Sequence, residues 1–495
     1  KIPQLYNWAQ MLTLDGRPFS FKGGHEYLEE IYKDTSPDIT IEKAAQMGIS
    51  VWAILDSLHG MKFSRYPHGV LYLFPSRNFV TEFSKTKLQN IIDENDFRGW
   101  FTETDSVNVK RVGNSSLYLR GMRSRTELKS VTVDKLVMDE IEEIENILLI
   151  DLVMERLSHV ENPVIHRLSV PSLPEYGIDA FFQKTDQRHW LLKCPRCNAW
   201  ICMEDEFPAC LVEIGDRVVR SCTKCHSELD ISKGEWVAKR PSITDQRGYH
   251  ISQLFSKYIS PSSLLEVYRT GNNLTTFYND KLGLPYVEAT NRLSIQEVLD
   301  LCGNEGIAES DPGPCFAGID QGGLLYIVIA KRHPQKSAQI VYIGIHKEFE
   351  ELDRLMKRFN VVRALIDGMP EVRKARELAE RYPGRVFLSY YNDHQRGSYR
   401  WDEKRMVVTS NRTESMDASH AEVLNQNIIL PRETEIVRTF ASHCHNTAKR
   451  LEVDEETGSQ RYVYIKLGDD HFRHSLNYCV MAYQNAPNLL FPELL

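Results

Sequence analysis

Two Cys-x-x-Cys pairs constrain this chain more tightly than anything else in it: CPRC, with Cys194 and Cys197, and CTKC, with Cys222 and Cys225. The 24 residues between them (198–221) are the length of a zinc-ribbon insertion, in which four thiolates hold Zn²⁺ tetrahedrally. Such a site has no open coordination position, so its role is structural. Trp200 and Ile201 follow the first knuckle and are placed to pack over it. Cys202 and Cys210 break the paired spacing and are not read as ligands. Ten cysteines in 495 residues are too sparse for a disulfide scaffold, and paired knuckles point to a reducing compartment.

A chain of this length is expected to build several cores, from two to four domains. The content of 42% hydrophobic and 26% charged residues is that of a globular protein. No apolar run reaches the roughly 18 residues that a membrane helix needs, and KIPQLYNWAQ lacks the layout of a secretion signal. The net charge of −8 excludes an all-over basic coat, but a local basic groove can still bind nucleic acid.

Upstream of the cysteines the pattern is α/β. GVLYLFP (69–75) reads as a buried strand, residues 79–92 as a helix, and DKLVMDE (134–140) as a second buried strand. The second strand ends on two carboxylates in the manner of a Walker B strand: Asp139 to hold Mg²⁺ and Glu140 to activate the attacking water. A phosphate loop is expected before it. KAAQMGIS (43–50) places Gly48 and Ser50 where the GxxxxGK[ST] pattern wants them, but has Lys43 for the first glycine and Ile49 for the lysine. Read physically, the lysine has moved to the other end of one loop. Lys43 brings charge to the phosphates, Gln46 and Gly48 lie in the cradle, and Ser50 reaches Mg²⁺. Arg120, Arg123 and Arg125 crowd the segment before the Walker B strand; Arg123 is taken as the nucleotide-facing candidate, a basic loop on DNA phosphates being the alternative. VIHRLSVPS (164–172) reads as a further strand, with Ser169 and Ser172 as γ-phosphate sensors by position.

Downstream, strands are expected over 315–333 (two, with a Gly turn), 339–348, 363–369 and 385–391. Helices are expected over 349–359, 371–382 and 471–484. The order βββαβαβ and then a helix is that of a ribonuclease-H-like fold. In that fold carboxylates on the first strand, the fourth strand and the last helix hold two divalent ions, here Asp320, Asp367 and Asp470. Asp469 is a substitute for Asp470; His471 and His474 either ligate or orient, or else cap and pack.

An aberrant phosphate loop, a DE strand, paired CxxC knuckles and a ribonuclease-H-like region, in this order, resemble the large subunit of tailed-phage terminases, with the lambda-like GpA family as the nearest likeness. HEYLEEIY (25–32) looks like that family's adenine-side segment, and KAAQMGIS like its deviant loop. LKSVTVDKLVMDEIEEI, DQRHW, GEWVAKRP, GYHISQLFS and FYNDKLGLPY follow its order. GIDQGG, LIDGM and DDHFRHSLNY resemble its nuclease positions, where many terminases carry Asp at the place of His474. The resemblance implies an N-terminal P-loop-type parallel-sheet ATPase (1–190), a zinc ribbon (191–235), a linker subdomain (236–305) and a ribonuclease-H-like nuclease (306–495). It implies ATP, Mg²⁺ or Mn²⁺, and Zn²⁺ as cofactors. The implied partners are double-stranded DNA, a small terminase subunit and a portal on a procapsid, with the motor working as a homo-oligomeric ring in the host cytoplasm and no membrane involved. Arg396, Arg400, Lys404 and Arg405 around Tyr399 and Trp401 form a groove loop for DNA, or else a solvated basic loop. A helicase-nuclease of repair or restriction is the alternative, against which stands the lack of helicase motifs after the Walker B strand. A DNA-binding scaffold with decayed sites finds its support in Ile49, and a transposase would leave the ATPase half superfluous.

Overall fold

Strands that are apolar at every position must be covered on both faces, which favours a parallel sheet between helices. The computed structural model describes residues 2–123, 131–144, 148–158, 160–271, 273–288, 291–397, 399–453 and 460–484. It divides the chain into two units, Lys1–Val287 and Glu288–Leu495.

The first unit is built on an eleven-stranded sheet. In chain order its strands are β1 (Asp38–Lys43), β2 (Val70–Phe74), β3 (Phe101–Asp105), β4 (Val109–Val112), β5 (Ser115–Gly121), β6 (Lys135–Asp139), β7 (Val164–Ser169), β8 (Arg188–Lys193), β9 (Trp200–Cys202), β10 (Gly234–Ala238) and β11 (Arg247–Ile251). The spatial order is β9-β8-β11-β1-β7-β6-β2-β5-β4-β3, with β10 on β8. From β8 to β5 every pairing along this order is parallel. The antiparallel strands β9 and β10 extend it at one end and β4 and β3 at the other. All five residues of β2 and of β6 are buried, as the apolar runs predict.

Helix α1 (Ile49–Lys62) follows β1 and is buried nearly all round. A polar pin in the core fixes it against β6. Lys135 pairs with Asp56, whose carboxylate also takes the hydroxyl of Tyr66 at 2.9 Å. Burial acts against the Asp56 charge, but the Lys135 ammonium beside it holds the carboxyl well below its ordinary range.

The resemblance leads one to expect four segments (1–190, 191–235, 236–305, 306–495); the chain passes from the first unit to the second at 287/288, inside the third of them. The cysteine-bearing strand β9 and the following β10 pair with β8, and β11 enters between β8 and β1. The expected ribbon segment and residues 247–251 of the expected linker are therefore hydrogen-bonded into the first unit's sheet, whereas residues 288–305 belong to the second unit.

The second unit carries an eight-stranded sheet. It comprises β12 (Cys315–Gln321), β13 (Leu325–Lys331), β14 (Ala338–His346), α2 (Glu350–Arg358), β15 (Val361–Asp367), α3 (Val372–Arg381), β16 (Val386–Tyr391), β17 (Arg400–Asp402), β18 (Val407–Ser410), α4 (Arg412–Leu424), β19 (Ile428–Ile429), α5 (Glu435–His445), the hairpin β20 (Thr447–Val453) and β21 (Gln460–Lys466), and α6 (His471–Gln484). The order is β17-β18-β16-β15-β12-β13-β14-β19, with β20 and β21 pairing apart. The predicted βββαβαβ order and terminal helix are present. The elements between β16 and α6 are additional to it. Helix α6 lies directly on β12 at Gly318, where a Cβ would stand 2.0 Å from the Ser475 carbonyl oxygen. Among the described residues no helix is long and apolar enough to cross a membrane.

Candidate functional site

The carboxyl edge of the first sheet gathers the expected nucleotide residues. Lys43 is the last residue of β1, the chain turns through residues 44–48, and α1 begins at Ile49. Gln46 and Gly48 hold positive φ of 61° and 80°, a tight turn that delivers the chain to the helix amino end. No side chain caps that end and no acidic residue occupies its first turn, which leaves its dipole for an anion. Strand β7 lies between β1 and β6, and the side chains meet across it. The Lys43 Nζ is 3.2 Å from Glu140 Oε1, Asp139 accepts from the Tyr72 hydroxyl at 2.8 Å, and the nearby Ser50 side chain helps to lower the Asp139 carboxyl.

Electrostatics tie these groups together. Burial and then the neighbouring Glu140 charge push the Asp139 carboxyl up, against the pull of Lys43. Burial alone would lower Lys43, yet Glu140 and Asp139 leave it raised, so its charge is held. Glu140 itself stands in the left-handed region at φ 55°, its N–H donating to the Leu168 carbonyl at 2.9 Å. Its side chain is 32% exposed, whereas that of Lys43 is 6% exposed, so the carboxylate can face a ligand while the ammonium stays covered.

Residues distant in sequence buttress the loop. The Ala44 N–H donates to Ile251 O at 2.7 Å and the Ala45 N–H to Asp280 O at 2.9 Å, while Gln253 Nε2 donates to Ala45 O at 3.0 Å. These partners lie in GYHISQLFS and FYNDKLGLPY, whose role the sequence does not disclose. From HEYLEEIY, the Tyr27 hydroxyl donates to Met47 O at 3.1 Å, and Leu28 lies beside Gly48. Arg123 follows β5, one strand beyond β2, and lines a cavity with Ser76, Arg77 and Asn78. Arg125 lies outside the described residues. Ser169 and Ser172 engage Glu142: the Glu142 N–H donates to Ser169 Oγ at 3.3 Å, and Ser172 Oγ donates to Glu142 Oε2 at 2.5 Å.

The four ribbon cysteines converge, with Sγ–Sγ distances of 3.6 Å for Cys194–Cys225 and Cys197–Cys222. Tetrahedral Zn²⁺ with Zn–S near 2.3 Å requires about 3.8 Å between sulfurs, so the set fits the ion.

In the second unit Asp320 and Asp367 lie at the ends of the paired parallel strands β12 and β15, level with one another, and Asp470 directly precedes α6. His471 Nδ1 is 2.8 Å from Asp320 Oδ2. His474 stands between Asp470, at 3.4 Å, and the Tyr391 hydroxyl, at 3.0 Å. Asp469 is exposed and Asp470 buried. Burial raises the Asp367 carboxyl to about 6, with the Met369 N–H opposing and Asp320 adding to the rise. Asp470, despite its burial, is held low by His474 and Lys466. The three carboxylates do not form one cluster within 4.8 Å; among the described residues that closeness belongs to the four cysteines and to His189, Glu204 and His250. Arg400 and Trp401 lie on β17 at the sheet edge, with Tyr399, Arg396, Lys404 and Arg405 on either side of it, and Arg363 lies 4.7 Å over the Trp401 ring.

An α/β sheet with a lysine, a serine and a DE pair converging at its carboxyl edge defines the class: an ATPase of the P-loop type. The family is narrower. Residues 24–239 match the phage terminase large subunit gpA, ATPase domain. Among solved structures, the HK97 bacteriophage large terminase aligns over 97% of this chain and 98% of its own, with 12% identity and a TM-score of 0.55, a likeness of fold across both units. The large terminase of a thermophilic bacteriophage, in complex with ADP, covers 90% and 93% at 11% identity and a TM-score of 0.34. The Thermus phage P74-26 large terminase ATPase domain covers 53% and 93% at 12% identity and 0.36. No curated protein matches the chain.

Proposed function

We propose that this chain is the large subunit of a viral DNA-packaging terminase: an ATP-driven translocase in its first unit and a metal-dependent endonuclease in its second. The observation that carries the motor reading is the meeting of Lys43, Ser50, Asp139 and Glu140 at one sheet edge in a domain that matches the gpA ATPase family. Gln46 and Gly48 shape the turn around the phosphates. Ser50 and Asp139 would hold Mg²⁺, which neutralises phosphate charge when bound. Glu140 orients and deprotonates the attacking water, and Lys43 stabilises charge at the phosphates. Arg123, on the same edge, is the candidate to reach a nucleotide bound by a neighbouring copy in a ring.

Asp320, Asp367 and Asp470, with His474 beside the last, would hold Mg²⁺ or Mn²⁺ for cutting DNA; carboxylates at adjacent strand ends supply the hard oxygen ligands such ions take. Zn²⁺ in the cysteine ribbon has a structural part. The family reading further assigns double-stranded DNA as substrate, gripped through phosphates, a portal and a small terminase subunit as partners, and the host cytoplasm as the place of work.

The test is displacement of a triplex-forming third strand from linear duplex DNA. ATP-dependent displacement without strand separation is expected and is lost in Lys43→Ala. Unwinding of the duplex itself would favour the helicase-nuclease, and no displacement with hydrolysis intact would refute the translocase.

A further inference from the structure

A second group of metal-type ligands lies in the first unit apart from the cysteine ribbon. His189 on β8, Glu204 just beyond β9 and His250 on β11 come from three neighbouring chain segments and are buried, His250 completely. Their ligand atoms all lie within 4.8 Å of one another. His189 Nδ1 is 2.8 Å and His250 Nδ1 3.2 Å from the same oxygen, Glu204 Oε1. The other oxygen, Oε2, is buried with no hydrogen-bond partner among the described residues. Cys202 Sγ stands 3.9 Å from His189 Nδ1.

The second nitrogen of His250 decides how these contacts are read. Its Nε2 is 2.9 Å from the carbonyl oxygen of Gly283, an acceptor only, so Nε2 carries the proton. In the neutral ring Nδ1 then presents a lone pair to a carboxylate oxygen. Two acceptors at that distance need a proton or a metal ion between them. A metal-bound histidine donating its other N–H to a backbone carbonyl is the usual arrangement around such ions. Two imidazoles and a carboxylate are a zinc donor set, and the Cys202 sulfur lies beside the His189 ring.

We propose that His189, Glu204 and His250 form a second, buried site for zinc or a similar divalent transition ion, separate from the cysteine ribbon. Burial leaves no position for substrate, so the ion is structural. Its purpose follows from Gly283. A Cβ at Gly283 would stand 2.6 Å from the Ala44 nitrogen and 2.9 Å from the Lys43 carbonyl carbon, so this residue is pressed against the start of the phosphate loop. An ion that fixes His250 fixes the Gly283 carbonyl, and through it the seat of the nucleotide-binding turn.

The test uses the full chain, expressed with zinc supplied and dialysed into metal-free buffer, read by elemental analysis and zinc X-ray absorption. The Cys222→Ser variant should retain an ion whose inner shell is dominated by nitrogen and oxygen, and further substitution by Glu204→Gln or His250→Gln should weaken its affinity at least about tenfold. Should Cys222→Ser fail to fold, the wild type itself should show a mixed sulfur and nitrogen/oxygen shell. A wild type whose bound ions show sulfur ligands alone, or one that binds no ion, overturns the assignment.

Discussion

Removing the Glu140 charge while keeping its shape, as Glu140→Gln, separates its chemical role from its structural one. At 3.2 Å from Lys43 and an effective dielectric near 20, the pair is worth about 5 kcal/mol in Coulomb terms. With the Glu140 side chain 32% exposed, solvent screening cuts that figure, and Asp139 still faces Lys43 when Glu140 is neutral. The net loss of stability is therefore expected at about 1–2 kcal/mol, a fall of a few degrees in Tm. The chemical loss is larger: withdrawing a general base slows turnover by roughly 10²–10⁴-fold, about 3–5 kcal/mol of barrier. Steady-state phosphate release measures the turnover, and fluorescent-nucleotide titration measures binding, which should stay within about threefold of wild type because the loop and Lys43 are untouched. Turnover that also stays within about threefold would refute the assignment of Glu140 as the base and leave it a mere partner of Lys43.

Other expectations follow from the same geometry. Ser50→Ala removes the hydroxyl beside Asp139 and should raise the Mg²⁺ concentration needed for half-maximal ATPase by roughly 10–100-fold, read from a metal titration. Gly283→Ala introduces a Cβ into the loop's back at φ 67° and should cost roughly 1–2 kcal/mol in backbone strain plus the clash, with a higher KM for ATP although the residue is far from the loop in sequence. Asp367 titrates at about 6 in the folded protein and near 3.9 in an unfolded chain. Its stabilising contribution is thus full below about pH 4 and lost as pH rises through about 6, so Asp367→Asn should gain up to about 3 kcal/mol at pH 8 without metal, nothing at pH 4, and lose DNA cleavage at both. Differential scanning calorimetry at the two pH values checks the sign.

Much of the fold was legible because the informative strands are apolar at every position. VLYLF and KLVMD announce themselves as doubly covered strands, and the carboxylates that end the second follow from its length. The displaced lysine was also legible, since Lys43 and Ser50 bracket one short loop whichever end carries the charge. Pairings across long sequence distances were not. Strand β11 bonds β1 although some two hundred residues separate them, and RGYHI carries no mark of which neighbour it will take. For that reason the boundary expected at 305/306 misses the sheet pairings that hold residues 247–251 in the first unit, whose last residue is Val287. In the second unit the positions of Asp320, Asp367 and Asp470 on their elements follow from periodicity. That His471 contacts Asp320 while His474 contacts Asp470 depends on side-chain rotamers, which periodicity does not reach. The cluster of His189, Glu204 and His250 escaped because no spacing rule relates residues on three separate segments.

The central claim is that one chain houses two independent engines, and the most direct measurement assays both from a single preparation. Purified protein is given ATP, supercoiled plasmid and Mg²⁺ or Mn²⁺, and phosphate release and plasmid cutting are followed together for wild type, Lys43→Ala and Asp320→Ala. The account predicts that Lys43→Ala stops hydrolysis and leaves metal-dependent cutting, while Asp320→Ala stops cutting and leaves hydrolysis. Cutting that survives Asp320→Ala, or hydrolysis that survives Lys43→Ala, would contradict it.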